Sequence, residues 1–249
     1  MAAGLHADRS VSIRLESVEI RGDEFPAADR YPFNITPLQG RQELRFRQVV
    51  SFLVGENGSG KSTLVNALAR RCGLHMWGQP ERPLIKGELS AAALSSYLRV
   101  TLTDGPVTGG LFSAETFREW AEFLDDVARL DPGQAKYHGG AELTAKSHGE
   151  GILAYFRGRY RVPGLYFLDE PESALSPASQ VGLLRLLKAY RSSGHAQFVI
   201  ATHSPILMAL PESQIFRFSD RGIEETPYES TEHFQLYRAF LADPLSFLS

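Results

Sequence analysis

A glycine-rich loop at residues 55–63 constrains the fold of this chain more than any other segment. It reads Gly-Glu-Asn-Gly-Ser-Gly-Lys-Ser-Thr, which matches the Walker A pattern G-x-x-x-x-G-K-[ST]. A β-branched run at residues 48–54 predicts a buried strand before the loop, and the apolar spacing of residues 62–71 predicts a helix after it. Strand, loop and helix together predict a P-loop, whose backbone N–H groups bind the phosphates of a nucleoside triphosphate.

The polar side chains of this loop have expected roles. Lys61 is expected to reach the β- and γ-phosphates, and the Ser62 hydroxyl is expected to bind Mg²⁺. The loop residues predicted to contact the nucleotide are Asn57, Gly58, Ser59, Gly60, Lys61, Ser62 and Thr63.

A second motif follows the apolar run at residues 165–168, where a strand is predicted to end in two carboxylates. Asp169 can hold Mg²⁺, directly or through water, and Glu170 lies one residue further on, where it can polarise the attacking water. A lone acid at a strand end would be only a metal ligand. The pair followed by Pro171 is a Walker B arrangement and predicts hydrolysis.

Alternation at residues 11–20 predicts a half-exposed strand, with an interruption at Ser17. Buried strands are predicted at residues 164–168, 197–201 and 215–218, and helices at 113–130 and 176–191. Alternating strands and helices predict an α/β fold with a mostly parallel central sheet. We interpret the chain as a single domain, with a core lobe at about 10–73 and 161–229, a helical subdomain at about 74–160 and a C-terminal helix at about 230–249.

Composition limits the cellular compartment and the binding partners that can be expected. The 249 residues are 43% hydrophobic and carry a formal net charge of −3, with no concentrated basic run, so the charge gives no support for nucleic-acid binding. The single cysteine, Cys72, rules out an internal disulfide and fits a reducing compartment. No signal peptide and no long apolar stretch are apparent, so we expect a cytoplasmic protein without direct membrane insertion.

The order of the motifs resembles that of the ATP-binding-cassette (ABC) ATPases over most of the chain. Within that class it is most similar to the stand-alone, SMC-like and RecF-like soluble ATPases of the AAA-family group, whose segments read SHGE, DEPE-x-ALSP and THSP. Transporter cassettes usually carry LSGGQ and a His followed by Asp instead. The matching segments here are residues 55–63, 147–151, 169–176 and 201–205.

The resemblance implies ATP and Mg²⁺ as ligands and a P-loop fold of ABC type, with an antiparallel N-terminal β-region and a helical subdomain. It assigns Ser147 and Gly149 to the signature motif, residues 173–176 to the D-loop and His203 to the switch histidine. Ser147 is also a good N-cap, so it marks a second helix end suited to phosphate. In the family that second end comes from another subunit, which implies an ATP-dependent homodimer.

Two elements of the family have several candidates. The Q-loop position fits Gln79, Gln134 or Glu115, and the adenine-stacking aromatic upstream of the phosphate loop fits Tyr31 or Phe33. Core packing is the alternative role for at least one of these two aromatic residues.

The sequence therefore predicts an ATPase in which Glu170, His203 and Lys61 carry the catalysis, and which switches an unidentified protein partner, for example in DNA repair or defence. Nucleic acid stays open as a partner, although the charge does not support it. The alternatives are a nucleotide-binding subunit of a membrane transporter, and a nucleotide-gated interaction module with little hydrolysis. The segment between Lys61 and Ser147 is too short for the long coiled-coil arm of SMC-type proteins.

Overall fold

The computed structural model describes residues 13–74, 91–131, 133, 143–145 and 147–248. The strands are β1 (Leu15–Arg21), β2 (Arg41–Arg45), β3 (Val50–Val54), β4 (Leu98–Leu102), β5 (Gly109–Ser113), β6 (Gly164–Asp169), β7 (Ala196–Ala201), β8 (Gln214–Ser219) and β9 (Gly222–Glu225). The α-helices are α1 (Lys61–Arg71), α2 (Ala91–Leu94), α3 (Phe117–Leu130), α4 (His148–Arg159), α5 (Pro177–Ser193), α6 (Pro205–Met208) and α7 (Glu232–Ala242). Short 3₁₀ turns lie at Gly22–Glu24, Thr36–Leu38, Ser95–Tyr97, Leu143–Ala145, Pro171–Ala174, Tyr228–Ser230 and Pro244–Phe247.

The central sheet has the strand order β5-β6-β7-β3-β8-β9. All neighbouring strands from β5 to β8 are parallel, and only β9 pairs antiparallel, with β8. The predicted mostly parallel sheet is therefore confirmed. Because β6 and β7 are adjacent, with Asp169 opposite Ala201, the chain segments that follow these strands leave the same edge of the sheet side by side.

The predicted antiparallel N-terminal region is a separate sheet with the order β2-β1-β4. The β1–β4 pairing shifts register between Leu15 and Ser17, at the interruption that the alternation indicated. Leu15, Val18 and Ile20 are nevertheless fully buried. A β-bulge inserts one extra residue into the strand, so the apolar side chains before and after the interruption face the same core.

The central strands are buried on both faces. On one face Phe52, Tyr166 and Phe198 join a core with α3, α4 and α5. On the other face Leu53 and Phe167 join a second core with α1 and the antiparallel sheet. Alternate side chains of one strand point to opposite faces, so the continuous apolar runs in the sequence correspond to a sheet with layers on both sides.

Two buried glutamines connect the two sheets. The Gln197 side chain on β7 accepts hydrogen bonds from the amides of Arg14 and Leu15 at 2.8 and 2.7 Å, and donates to the Leu15 carbonyl at 3.0 Å. Gln214 on β8 accepts from the Arg47 amide and donates to the Arg45 carbonyl, both at 2.9 Å. These amides satisfy backbone groups that neither sheet pairs internally.

Part of the predicted helical region belongs to the sheets. β4 joins the antiparallel sheet and β5 forms the edge of the central sheet. Residues 98–113 therefore contain two strands, whereas the sequence predicted that they belong to a helical subdomain over 74–160. Within the described part of that span, the long helices α3 and α4 begin at Phe117 and His148. The helix predicted at 113–130 therefore starts four residues later than expected, after the end of β5.

The C-terminal helix α7 lies largely exposed. Its apolar side chains include Leu236, Tyr237, Phe240 and Leu241, each at least 44% accessible to solvent. None of the helices within the described ranges combines the length and the apolar character that crossing a bilayer requires.

Candidate functional site

A cavity of about 800 Å³ opens at the phosphate loop. Its lining includes the predicted residues Tyr31, Asn57, Gly58, Ser59, Gly60, Lys61, Ser62, Thr63 and Glu170. The structure thus brings together most of the predicted nucleotide contacts. Ser147 and Gly149 are not part of this lining.

Gly60 shows why the loop needs glycine. It is the N-cap of α1 and has a left-handed backbone with φ of 95°. A Cβ atom at this position would lie 2.6 Å from Cγ2 of Ile35, which also lines the cavity. Both the backbone conformation and the close approach exclude a side chain, so the first amides of α1 remain open to a phosphate.

Lys61 is the first residue of α1 and is only 4% exposed. Its Nζ donates to the carbonyls of Gly55 and Glu56, both at 2.9 Å. Burial lowers the pKa of Lys61, while the charges of Glu170 and Asp169 act in the opposite direction. An ammonium has three donors, so these two bonds leave one for a phosphate oxygen.

Ser62 and Asp169 form the candidate metal site. Burial raises the pKa of Asp169 to about 6, against the hydrogen bond from the Ser62 hydroxyl and the charge of Lys61. Within the described residues the buried Oδ1 atom of Asp169 has no hydrogen-bond partner. A buried carboxylate oxygen without a partner, next to a hydroxyl, fits the oxygen ligands that Mg²⁺ prefers.

Glu170 has a left-handed backbone, with φ of 44° and ψ of 54°. Its amide donates to the Ala201 carbonyl at 3.0 Å, and its carbonyl accepts from the Ser173 hydroxyl at 2.6 Å. Non-glycine residues rarely adopt this conformation, and they cluster at functional sites. These contacts hold the Glu170 side chain at the wall of the cavity, 41% exposed.

His203 follows β7 and lies beside Glu170, with 3.5 Å between His203 Nε2 and Glu170 Oε1. Two further residues fix it, and neither was predicted. Its amide donates to Glu172 Oε1 at 2.6 Å, and its Nδ1 lies 3.1 Å from Nε2 of His233 on α7. Glu172 was visible within the motif at residues 169–172, but no local sequence signal points to His233.

Ser147 precedes α4 and lies on the surface. The Glu150 carboxylate accepts from both the amide and the hydroxyl of Ser147, at 3.2 and 2.6 Å. Gly149 lies against residues 174–175, where a Cβ atom would be 3.4 Å from the Ala174 carbonyl oxygen. The predicted signature and D-loop segments are therefore neighbours, and both lie outside the lining of the cavity.

The structure distinguishes the two aromatic residues that the sequence offers for stacking on adenine. Tyr31 is 49% exposed, lines the cavity, and has its hydroxyl 3.2 Å from Oγ1 of Thr63. Phe33 is fully buried and packs on Phe25 and Tyr97. Phe33 therefore has the core role that was its alternative, and only Tyr31 can reach a ligand in the cavity.

Only one Q-loop candidate can be placed. Gln79 and Gln134 lie outside the described residues. Glu115 follows β5, whose last residue, Ser113, pairs with Asp169, and the charge of Glu115 contributes to the raised pKa of Asp169. It stands at the start of the chain segment that leads from the sheet into α3.

Comparison with known proteins gives one match to a protein family, at residues 133–209. That family is described as "AAA domain, putative AbiEii toxin, Type IV TA system". The match covers less than a third of the chain.

The chain is also similar to ATP-binding proteins that are named for import or export. It is 31% identical over 173 residues to the cytochrome c biogenesis ATP-binding export protein CcmA of Rhodopseudomonas palustris, covering 66% of this chain and 82% of that protein. It is 28% identical over 169 residues to the zinc import ATP-binding protein ZnuC of Cereibacter sphaeroides, covering 63% of this chain. The matched region spans 62% of ZnuC, which is less than two thirds of its length.

Among solved structures, cbiO1 from Clostridium perfringens, part of the ABC transporter complex cbiONQ, has the same fold. The TM-score is 0.52 at 15% sequence identity, over 93% of this chain and 97% of that one. The 31% identity to the export protein, over 82% of that protein's length, shows that the chain belongs to the ATP-binding-cassette family of P-loop ATPases.

Proposed function

We propose that this protein binds Mg-ATP in the cavity at the phosphate loop, hydrolyses it, and does so between two copies of the chain. The observation that supports the proposal most is the meeting of Lys61 and Glu170 in one cavity, although they come from distant parts of the sequence. A phosphate-binding cation and a carboxylate able to act on water are the two groups that phosphoryl transfer to water requires.

The residues have distinct roles in this mechanism. Lys61 and the loop amides neutralise and position the phosphates, and Tyr31 stacks on the adenine. Glu170 orients a water molecule and accepts its proton as the water attacks the γ-phosphorus, while the bond to the ADP oxygen breaks. His203 donates a hydrogen bond to the γ-phosphate. Ser62 and Asp169 would hold Mg²⁺, which neutralises charge on the β- and γ-phosphates when it is bound.

The second copy supplies Ser147 and Gly149. These residues stand at the start of α4 but do not line the cavity of their own chain. The N-terminus of a helix favours an anion, so a head-to-tail partner can place this end on the open side of the nucleotide. ATP then joins the two chains, and hydrolysis releases them.

The test of hydrolysis is the substitution Glu170→Gln, with Glu119→Gln on the exposed side of α3 as the matched control. The amide keeps the shape of the side chain but cannot accept a proton from water. We expect ATP affinity to be retained and kcat to fall by about 10² or more, the scale of a positioned general base. Steady-state turnover and equilibrium ATP binding measure the two quantities. Turnover equal to that of Glu119→Gln would remove Glu170 from the mechanism.

The test of the shared site is a mixing experiment. Lys61→Ala removes the phosphate cation of one chain, and Ser147→Arg blocks the α4 end of the other. Each variant alone should be inactive, whereas mixed dimers should contain one intact site and regain part of the activity. A mixture that forms mixed dimers, measured with two affinity tags, but stays inactive contradicts independent shared sites. Normal turnover of Ser147→Arg alone would make Ser147 an ordinary helix cap.

A transporter subunit is a second candidate, because the relatives named above are ATP-binding proteins of import and export. The signature at residues 147–151 and the Ser204 that follows His203 differ from the usual transporter segments. Co-purification with a polytopic membrane protein from native cells would favour the transporter subunit.

A third candidate is a nucleotide-gated interaction module that hydrolyses ATP little or not at all. The description of the matched family, which names a toxin–antitoxin system, favours a process such as defence, and DNA repair is the other process that we consider. Turnover of the wild type separates this candidate from the ATPase.

The single cysteine supports the cytoplasm as the compartment. Affinity purification with Glu170→Gln should trap the ATP-bound form together with the protein that it switches.

A further inference from the structure

His203 is in contact with a second histidine from the C-terminal helix. Nδ1 of His203 lies 3.1 Å from Nε2 of His233, and the ring centroids are 5.3 Å apart. His233 belongs to the first turn of α7, and the preceding residue, Glu232, lines the nucleotide cavity. The helix therefore begins at the candidate site and presents an imidazole to the switch histidine.

The position of His233 is fixed by local contacts. The Thr231 hydroxyl accepts a hydrogen bond from the Phe234 amide at 3.3 Å, and Phe234 packs on Tyr228 with 4.7 Å between ring centroids. Thr231 itself is fully buried. The first turn of α7 is thus anchored to the domain, although the rest of the helix is exposed.

A hydrogen bond between two neutral imidazoles needs one N–H donor and one bare nitrogen. Burial lowers the pKa of both His203 and His233, which favours the neutral form of each ring. The other nitrogen of His203, Nε2, faces Glu170 Oε1 at 3.5 Å and has no hydrogen-bond partner within the described residues. A carboxylate can only accept hydrogen bonds, so the Glu170 carboxylate favours the tautomer of His203 that carries its proton on Nε2. Nδ1 of His203 is then bare and accepts from His233.

We propose that His233 is a positioning residue: its Nε2–H donates to Nδ1 of His203 and so keeps the proton of His203 on Nε2, the nitrogen that faces Glu170 and that the proposed function uses to donate to the γ-phosphate. The assignment rests on the proposed function, in which His203 donates to that phosphate. A histidine whose tautomer is set by a second group is a common device, because only one of the two ring nitrogens can then be the donor.

The kinetic test compares three substitutions on α7. His233→Leu removes the donor, and His233→Gln places an amide N–H near the position of Nε2. Gln235→Ala changes a side chain of the same turn that is hydrogen-bonded to Glu229 and Arg238 instead. We expect His233→Leu to lower kcat about tenfold, a typical loss for a group that orients a functional histidine. The KM for ATP should change less than about twofold. His233→Gln should recover most of kcat, and Gln235→Ala should keep it.

Equal losses in His233→Leu and His233→Gln would overturn the proposal, because the amide supplies the same donor. An unchanged kcat in His233→Leu would overturn it as well. Thermal melting of each variant verifies that the chain remains folded.

A second measurement reads the tautomer of His203 directly. Imidazole ¹⁵N chemical shifts of labelled wild-type protein distinguish a protonated from a bare ring nitrogen. We expect His203 to carry its proton on Nε2, and His233→Leu to produce a mixture of both tautomers. A proton on Nδ1 of His203 in the wild type would overturn the proposal. A wild type without turnover would refute the proposed hydrolysis instead, while the ¹⁵N shifts would still report on the pair.

Discussion

Lys61 is a buried ammonium that the fold keeps near the carboxylates of Asp169, Glu170 and Glu172. Lys61→Ala removes the cation directed at the phosphates, so we expect loss of ATP binding with the fold retained. Lys188→Ala, at an exposed position on α5, is the control and should bind ATP as the wild type does. A fluorescent nucleotide titration and circular dichroism measure affinity and fold. Equal affinities of the two variants would contradict the assignment of the phosphate loop.

The sequence could identify the functional residues that belong to short, continuous motifs. Lys61 and Asp169 belong to short motifs, and the structure places both near the same cavity. His233 was missed because it meets His203 only through the tertiary fold, and the pattern of its own helix α7 indicates no site. Phe33 and Tyr31 look alike in the sequence, and only the packing of Phe33 on neighbouring rings separates them.

Asp125 binds the part of the connection between α3 and α4 that the structure describes next to α4, at residues 143–145. This buried carboxylate on α3 accepts from the amides of Leu143 and Thr144 at 2.7 and 2.9 Å, and from the Thr144 hydroxyl at 2.6 Å. It thereby holds the short 3₁₀ turn Leu143–Ala145 against α3. Hydrogen bonds to a charged group contribute about 1.5–3 kcal/mol each, and their net effects overlap, so Asp125→Ala should lower the free energy of unfolding by about 3 kcal/mol.

The effect of Asp125 should also depend on pH. Burial raises the pKa of this carboxyl, but the hydrogen bonds from Thr144 and Leu143 outweigh it, so the pKa lies below the ordinary value of about 3.9. A lowered pKa in the folded state contributes stability above the unfolded pKa and loses it as pH falls through the folded pKa. Urea unfolding measures the difference in the free energy of unfolding between wild type and Asp125→Ala, and we expect this difference to be smaller below pH 4 than at pH 7. A difference that does not change with pH would mean that the charge of Asp125 is not responsible for the stabilisation.

Strands buried on both faces could be predicted because their apolar runs are continuous, as in β3, β6 and β7. β5 was missed because its sequence begins with two glycines, which are unfavourable in strands. Gly109 is required there, since a Cβ atom would lie 1.7 Å from the Leu165 carbonyl oxygen of β6. The partner strand, rather than the propensity of β5 itself, makes this segment a strand.

The buried side chain of Gln197 contributes polar contacts to the attachment of one sheet to the other. Gln197→Leu would leave the amides of Arg14 and Leu15 and the Leu15 carbonyl without partners. Each unsatisfied buried group costs about 1–3 kcal/mol, so we expect the free energy of unfolding to fall by about 3 kcal/mol or more. Gln48→Leu, at an exposed position before β3, should change it by less than about 0.5 kcal/mol. Chemical denaturation measures both, and equal effects would mean that Gln197 does not join the sheets.

The left-handed backbone at Glu170 has a consequence for evolution and engineering. A non-glycine residue in this conformation costs about 1–3 kcal/mol, whereas glycine adopts it readily. Glu170→Gly would therefore relieve strain while it removes the carboxylate from the cavity. Directed evolution for heat resistance alone would favour a small residue at position 170. A screen that keeps the carboxylate must also reward nucleotide turnover in every round.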